Sequence, residues 1–285
     1  MSRGGACIRR GAAVATAVCM LLTSRIGAAE VQIESSPETA ALAQVVRGRV
    51  SEAPRRVAEL DARVTIGAAA FRAALNNNDG RPVVAAYVTT SEFAEALGAA
   101  PRGRHITAIF SNPDPLDELI LAKTILSRAR VAAFDSSTVH SLVSRLTEHG
   151  VSPIPVSHQE SIDALLRAAD PFDVILALPD GILNGANIGH VVRTLYQQHK
   201  VLIGYSDTLT RVGSLASVYP TPEGIARAVR DILQQYAVRG VMPAPLFVSD
   251  VDVSVNERLA HSLNIVLPDR ADLVMAVRSK SETAP

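Results

Sequence analysis

From Val31 onward, short β-branched apolar runs alternate with longer amphipathic segments, and this alternation restricts the chain to the α/β class. VQI at 31–33 reads as a strand, and Pro37 opens a helix carrying Ala41, Leu42, Val45 and Val46. RVTI ends a strand at Ile66, where Gly67 turns into a helix that runs to about Asn76. The strands VVAAYV (83–88), ITAIF (106–110), VAAF (131–134), VSPIPV (151–156), FDVILAL (172–178), VLIG (201–204) and LASVY (215–219) follow. Helical segments separate most of them, with Ser91 predicted as one N-cap and Ser136 or Ser137 as the start of another helix. The prolines of VSPIPV mark it as an edge strand. Strands joined through helices run parallel and are covered on both faces. At least nine strands exceed one comfortable sheet, so two α/β lobes are expected.

The first 29 residues have a different character. Arg3, Arg9 and Arg10 form a basic start, Gly11 to Leu22 is an uncharged apolar run, and Gly27-Ala28-Ala29 supplies small residues before Glu30. This is the order of a secretory signal peptide cleaved after Ala29. A membrane-spanning helix needs about 20 apolar residues, and this run is shorter and followed by Arg25. Cys19 follows Val18 rather than the small residue that usually precedes a lipid-modified cysteine, so release into the periplasm is expected rather than anchoring.

Both cysteines, Cys7 and Cys19, fall inside the leader, so the exported protein has neither disulfides nor thiolate chemistry. Four of the 28 basic residues (Arg3, Arg9, Arg10, Arg25) and no acidic residue precede Glu30, leaving 24 basic against 28 acidic, a net charge of −4. An acidic balance argues against nucleic acid as a partner, because phosphate backbones are bound by basic surfaces.

Parallel α/β sheets place ligands at the carboxyl ends of their strands. Those ends read Ser35-Ser36, Gly67-Ala68, Thr89-Thr90-Ser91, Ser111-Asn112, Asp135-Ser136-Ser137, Pro179-Asp180-Gly181 and Ser206-Asp207-Thr208. Helix capping accounts for most of these hydroxyls and acids one by one. It accounts less well for three aspartates, Asp135, Asp180 and Asp207, each closing a strand of the second half. Helix N-termini attract anions and aspartates hold cationic amines, a combination suited to a small polar or zwitterionic ligand. Enzyme signatures are lacking: no GxGxxG, no phosphate loop, no GxSxG elbow, and no HExxH or clustered spacing among the seven histidines. No cofactor or metal site is expected.

Three stretches then carry a family likeness: ITAIFSNPDPLDELILAKTILSRARVAAF, DVILALPDGILN, and HKVLIGYSDTLTRVGSLASVYPTPEGIARAVRDIL. Together with SVNERLAHSLNIVLPD at 254–269, they resemble the ABC-transporter substrate-binding proteins related to tryptophan- and tyrosine-binding members. The chain departs from that pattern at Ser214, where a small apolar residue stands in the family, and at Ala226, often a glycine. Its aromatic content is 4% with no Trp, which leaves few rings to stack on an indole or phenol.

The resemblance implies a type I periplasmic-binding fold: two Rossmann-like lobes with parallel sheets, three crossing strands and a ligand cleft between the lobes. The N-terminal lobe would span 30–110 plus about 221–250, and the C-terminal lobe 111–220 plus about 251–285. Ser35, Ser36, Gly67, Ala68, Thr89, Asp135, Ser136, Asp180 and Asp207 would face the ligand, with Phe110, Phe134, Tyr205 and Tyr219 near the cleft and core packing expected for the two phenylalanines. The implied role is capture of a small ligand, an amino acid within that class, by lobe closure and delivery to an inner-membrane ABC permease. A periplasmic sensor or adaptor of the same fold, reporting ligand state to a membrane receptor, is the alternative. An enzyme using Asp180 or Asp207 as a base would need an activating partner that the sequence does not display.

Overall fold

The computed structural model describes residues 30–77, 79–98, 105–157 and 161–279. The leader, its cleavage point and both cysteines lie outside these residues.

Two sheets form the scaffold. The first takes β1 (Gln32–Ser35), β2 (Arg63–Ile66), β3 (Val83–Val88) and β4 (Ile106–Phe110) in sequential order, all parallel. The second contains β5 (Val131–Asp135), β6 (Ser152–Pro155), β7 (Val174–Leu176), β8 (Val201–Gly204), β9 (Ala216–Pro220) and β10 (Val251–Val255) in the order β10-β9-β8-β7-β5-β6. The proline-bearing β6 is at an edge, as its composition requires. The other edge, β10, is antiparallel to β9, and it had no counterpart in the sequence reading. VDVSV alternates buried and half-buried positions, the pattern of a strand with one face on the core.

Helices cover both faces of both sheets, and side-chain alternation shows it directly. In the first sheet Val64, Ile66, Val84, Ala86 and Ile109 pack under α1 (Ala40–Ser51) and α10 (Pro222–Arg239). Val83, Ala85, Val88, Ala108 and Phe110 face the other way, onto α3 (Ala68–Asn76) and α4 (Thr90–Gly98). A short helix, α2 (Arg55–Ala58), adds Val57 to the first of these layers. In the second sheet, Val131, Ala133, Val174, Leu176, Val201 and Ile203 meet α5 (Pro115–Ile125), α6 (His140–Thr147), α11 (Glu257–Ser262) and α12 (Arg270–Ser279). Ala132, Phe134, Ile175, Ala177 and Leu202 meet α7 (Ile162–Ala168) and α8 (Ile188–Gln197). Burying the inner strands on both faces explains why their runs are continuously apolar.

The chain passes between the sheets at three places. β4 leads through Ser111–Asp114 into α5, β9 turns at Thr221 into α10, and the return after α10 crosses beside β4 before entering β10. On that return Leu246 bonds to both Ala108 and Phe110, adding one parallel rung to the first sheet. At the second crossing Thr221 caps α10 by accepting from the Gly224 amide at 2.9 Å. Gly224 is needed there because a Cβ would lie 2.8 Å from Val248 Cγ1 and 2.9 Å from the Asp250 carbonyl. Loss of the cap in Thr221→Ala is expected to cost about 1 kcal/mol, measurable as a lowered urea midpoint with an unchanged slope.

Two helix starts differ from expectation. α6 begins at His140, after a turn over 137–139, so Ser136 and Ser137 precede it rather than cap it. α4 is capped by Thr89, whose Oγ1 accepts from the Glu92 amide at 3.1 Å while Glu92 Oε2 accepts from the Thr89 amide at 2.8 Å. This reciprocal capping box frees the Ser91 hydroxyl for a longer-range partner.

Candidate functional site

A cavity of about 460 Å³ opens between the two sheets, within the size range of small-ligand sites. The first sheet's side contributes Thr39 and Tyr87; the second contributes Asp207, Arg211 and Tyr219; Ser111 comes from the first crossing. Most of these lie at or just beyond the carboxyl ends of strands, where open parallel sheets bind ligands.

Each wall has a local cause. Tyr87 sits at a β-bulge where the β3–β4 register shifts, with φ of 59°, and is 43% exposed. A non-glycine residue in the left-handed region is uncommon and is held there by its surroundings. Here the bulge swings a ring out of an otherwise buried strand into the cavity. Thr39 ends a 3-10 turn (Pro37–Thr39), and its hydroxyl donates to the Ile66 carbonyl at 3.0 Å. Ser36 Oγ lies 3.2 Å from the same hydroxyl. Gly67, with φ of 89°, passes close enough that a Cβ would meet Thr39 Cγ2 at 3.2 Å. Ser36 and Gly67 therefore lie against Thr39, behind the wall it forms, while Ser35 closes β1 and Ala68 opens α3.

On the facing side, Asp207 opens α9 (Asp207–Val212) and is ion-paired with Arg211 one turn on. Tyr219 is half-buried, and burial raises its phenol above the ordinary range, the nearby Asp252 and Asp207 carboxylates adding to the effect.

Of the nine residues singled out in the sequence, Asp207 alone lines the cavity itself. Thr89 spends its hydroxyl and amide on the capping box. Asp135 lies 3.0 Å from His140 Nδ1, beside an exposed ring. Ser136 Oγ is buried with no hydrogen-bond partner among the described residues. Asp180 accepts from the Ile182 amide at 2.9 Å, yet burial outweighs its backbone hydrogen bonds and pushes its carboxyl up to about 6. Beside it, the Ser91 hydroxyl donates to the Pro179 carbonyl, joining the start of α4 to the carboxyl edge of the second sheet. Phe110 and Phe134 are core residues, as expected.

Tyr87, Thr39 and Arg211 are among the cavity residues that the sequence did not single out. No local signal marks Tyr87, because VVAAYV reads as an uninterrupted strand and the bulge is set by pairing with β4.

No protein-family model and no curated protein matches the sequence. Solved structures do match. The ligand-free, open substrate-binding protein with adhesive properties from Clostridium difficile superposes with a TM-score of 0.62 at 13% identity, over 84% of this chain and 96% of that one. The ABC domain in complex with L-Trp from Streptococcus pneumonia gives a TM-score of 0.55 at 17% identity, over 86% and 98%. A conserved domain protein from Vibrio cholerae gives 0.56 at 18%, over 88% and 98%. The chain has the type I periplasmic-binding fold. In that fold the cavity between Tyr87 and Asp207 occupies the cleft between two lobes. Among the described residues no helix of the periplasmic-binding fold seen here is long and apolar enough to cross a membrane.

Proposed function

We propose that this protein is a periplasmic solute-binding protein that captures a small polar ligand by closing two lobes and hands it to an inner-membrane ABC permease. The observation that carries the reading is the cavity itself, with polar and aromatic side chains from both sheets converging at strand ends. The lobes are 30–110 with about 221–250, and 111–220 with about 251–285. Three crossings at one side of the cleft support a hinge there. Of the sequence candidates Ser35, Ser36, Gly67, Ala68, Thr89, Asp135, Ser136, Asp180 and Asp207, Asp207 faces the ligand directly, together with Tyr87 and Tyr219. Ser36 and Gly67 shape the wall behind Thr39. The role is binding rather than catalysis, and the N-terminal segment 1–29 is the export signal that delivers the chain to the periplasm.

A thermal-shift screen of amino acids, amines, sugars and carboxylic acids tests this. At least one class should raise the melting temperature in a concentration-dependent way, because a ligand bound only by the native state stabilises it by mass action. Absence of any shift across the screen would overturn the reading. Tyr87→Ala is expected to weaken the ligand found by about tenfold or more, through loss of a rigid aromatic contact. The ring is 43% exposed, so stability should change little, and calorimetric titration beside a melting curve separates the two effects.

A further inference from the structure

The cavity lining leaves unexplained a group of acids at the carboxyl edge of the second sheet. Glu118, in the first turn of α5, is 1% exposed, and its Oε2 has no hydrogen-bond partner among the described residues. Its carboxylate acts on the Tyr205 hydroxyl together with those of Asp180 and Glu92. Acids from α5, from the segment after β7 and from α4 thus all lie near enough to raise one phenol. α5 precedes β5 and packs across β7, β8 and β9. A helix feeding a parallel strand runs back along the sheet, so its first turn lies at the carboxyl edge.

Two buried hydroxyls without partners lie at the same edge. Ala133 and Leu176 form the last rung between β5 and β7; Ser136 and Pro179 each lie three residues beyond it. Ser136 Oγ is unpartnered, and so is Thr90 Oγ1, next in the chain to the Ser91 whose hydroxyl bonds the Pro179 carbonyl. Buried polar atoms are nearly always satisfied by protein, water or ligand.

No basic side chain is among the groups acting on Glu118, Asp180 or Tyr205 among the described residues. Cations of the neighbouring elements are engaged elsewhere: Arg211 with Asp207, Arg145 with Asp114, and the Lys123 amine with the Ala129 carbonyl. Left alone, buried carboxyls keep their protons. Burial holds Glu118 well above the ordinary carboxylate range, with Asp117 and Asp114 adding to it. A cation bearing several N–H donors would relieve these acids and satisfy the hydroxyls together, and an ammonium group offers three donors.

We propose that Glu118 and Asp180 seat the protonated amine of a ligand whose positive charge no carboxylate cancels, so that the cleft selects a cationic amine over an amino acid or a sugar. This rests on the solute-binding reading and narrows it. Ser206, next in the chain to Tyr205, lines the cavity, whose lining does not itself include Glu118 or Asp180. The rings of Tyr87 and Tyr219 offer faces to the ligand's body and to its charge.

Isothermal titration of the purified protein with tyramine, 1,4-diaminobutane, L-tyrosine, 3-(4-hydroxyphenyl)propionate and D-ribose tests the proposal. One of the two amines should bind at least tenfold more tightly than L-tyrosine, with no heat from the propionate or the sugar. Glu118→Gln should weaken that amine at least tenfold while its melting temperature at pH 7 stays at or above that of the parent. Tighter or equal binding of L-tyrosine, the propionate or ribose would overturn the amine proposal and leave solute binding standing. The same holds if neither amine binds while a neutral or acidic compound from the thermal screen does. No binding by any compound, in titration or screen, would overturn solute binding and this proposal with it.

Discussion

Asp180→Asn should make the protein more stable at pH 8 by about 2–3 kcal/mol and leave it nearly unchanged at pH 3.5. In the unfolded chain an aspartate titrates near 4, whereas burial raises this carboxyl to about 6 in the folded protein. The folded state therefore holds the proton more tightly, and unfolding releases it between those two values. The side chain's contribution is fully present below pH 4, falls as pH rises through the window, and is lost above about 6. A shift of roughly two units at about 1.36 kcal/mol each sets the size. Asparagine never ionises, yet its amide oxygen can still accept from the Ile182 amide. Urea unfolding followed by circular dichroism from pH 3.5 to 8 measures the effect. Glu118 adds a slope of the same sign, so the variant should flatten the profile without levelling it. A variant less stable than its parent at pH 8, or one with the same slope between pH 4 and 6, would contradict the burial described for Asp180.

Phe71→Ala carries the second large effect, a loss of about 3–5 kcal/mol. Phe71 is fully buried and stacks on Phe93 with centroids 5.5 Å apart. Phe93 in turn meets Phe110 edge-on at 6.0 Å, and Phe110 meets Phe247 at 4.9 Å. The row runs from α3 through α4 and β4 to the return crossing beside Leu246. Removing its inner ring leaves a cavity that the neighbours fill only in part, and each aromatic pair adds about 0.5–1.5 kcal/mol beyond area burial. Because the row ends at a crossing segment, the variant should also loosen the placement of the two lobes. The expected result is a lower urea midpoint together with weaker binding of whichever ligand the thermal screen identifies. A loss below about 1 kcal/mol would show that this packing is not what it is described to be.

These two side chains also mark what could and could not be read in the sequence. The helix that carries Phe71 was legible: it follows a strand that ends at Ile66 and a glycine turn, and it must bury a face on the sheet. The double-sided burial of each sheet was legible for the same reason, since apolar runs such as VVAAYV and FDVILAL leave no solvent face. Asp180 was legible as a strand end but not as a raised carboxyl, because its burial comes from groups distant in sequence. Glu118 was not legible at all. An acid in the first turn after a proline reads as a solvent-exposed partner of the helix dipole, and only the packing of α5 across β7, β8 and β9 buries it. Tyr87 depends on a pairing shift between β3 and β4. The antiparallel β10 depends on a long return through the first lobe, which local alternation alone does not reveal. The strand ends thus located the cleft, while the side chains that line it were decided by bulges, crossings and helix packing.

A crystal structure of the protein grown with the tightest compound from the thermal screen tests the central claim most directly. The account expects that compound in the cleft between Tyr87 and Asp207, with both sheets contributing contacts. Density for it on an outer face, such as the groove along Arg270 and Met275 of α12, would contradict a solute-binding role for the cleft.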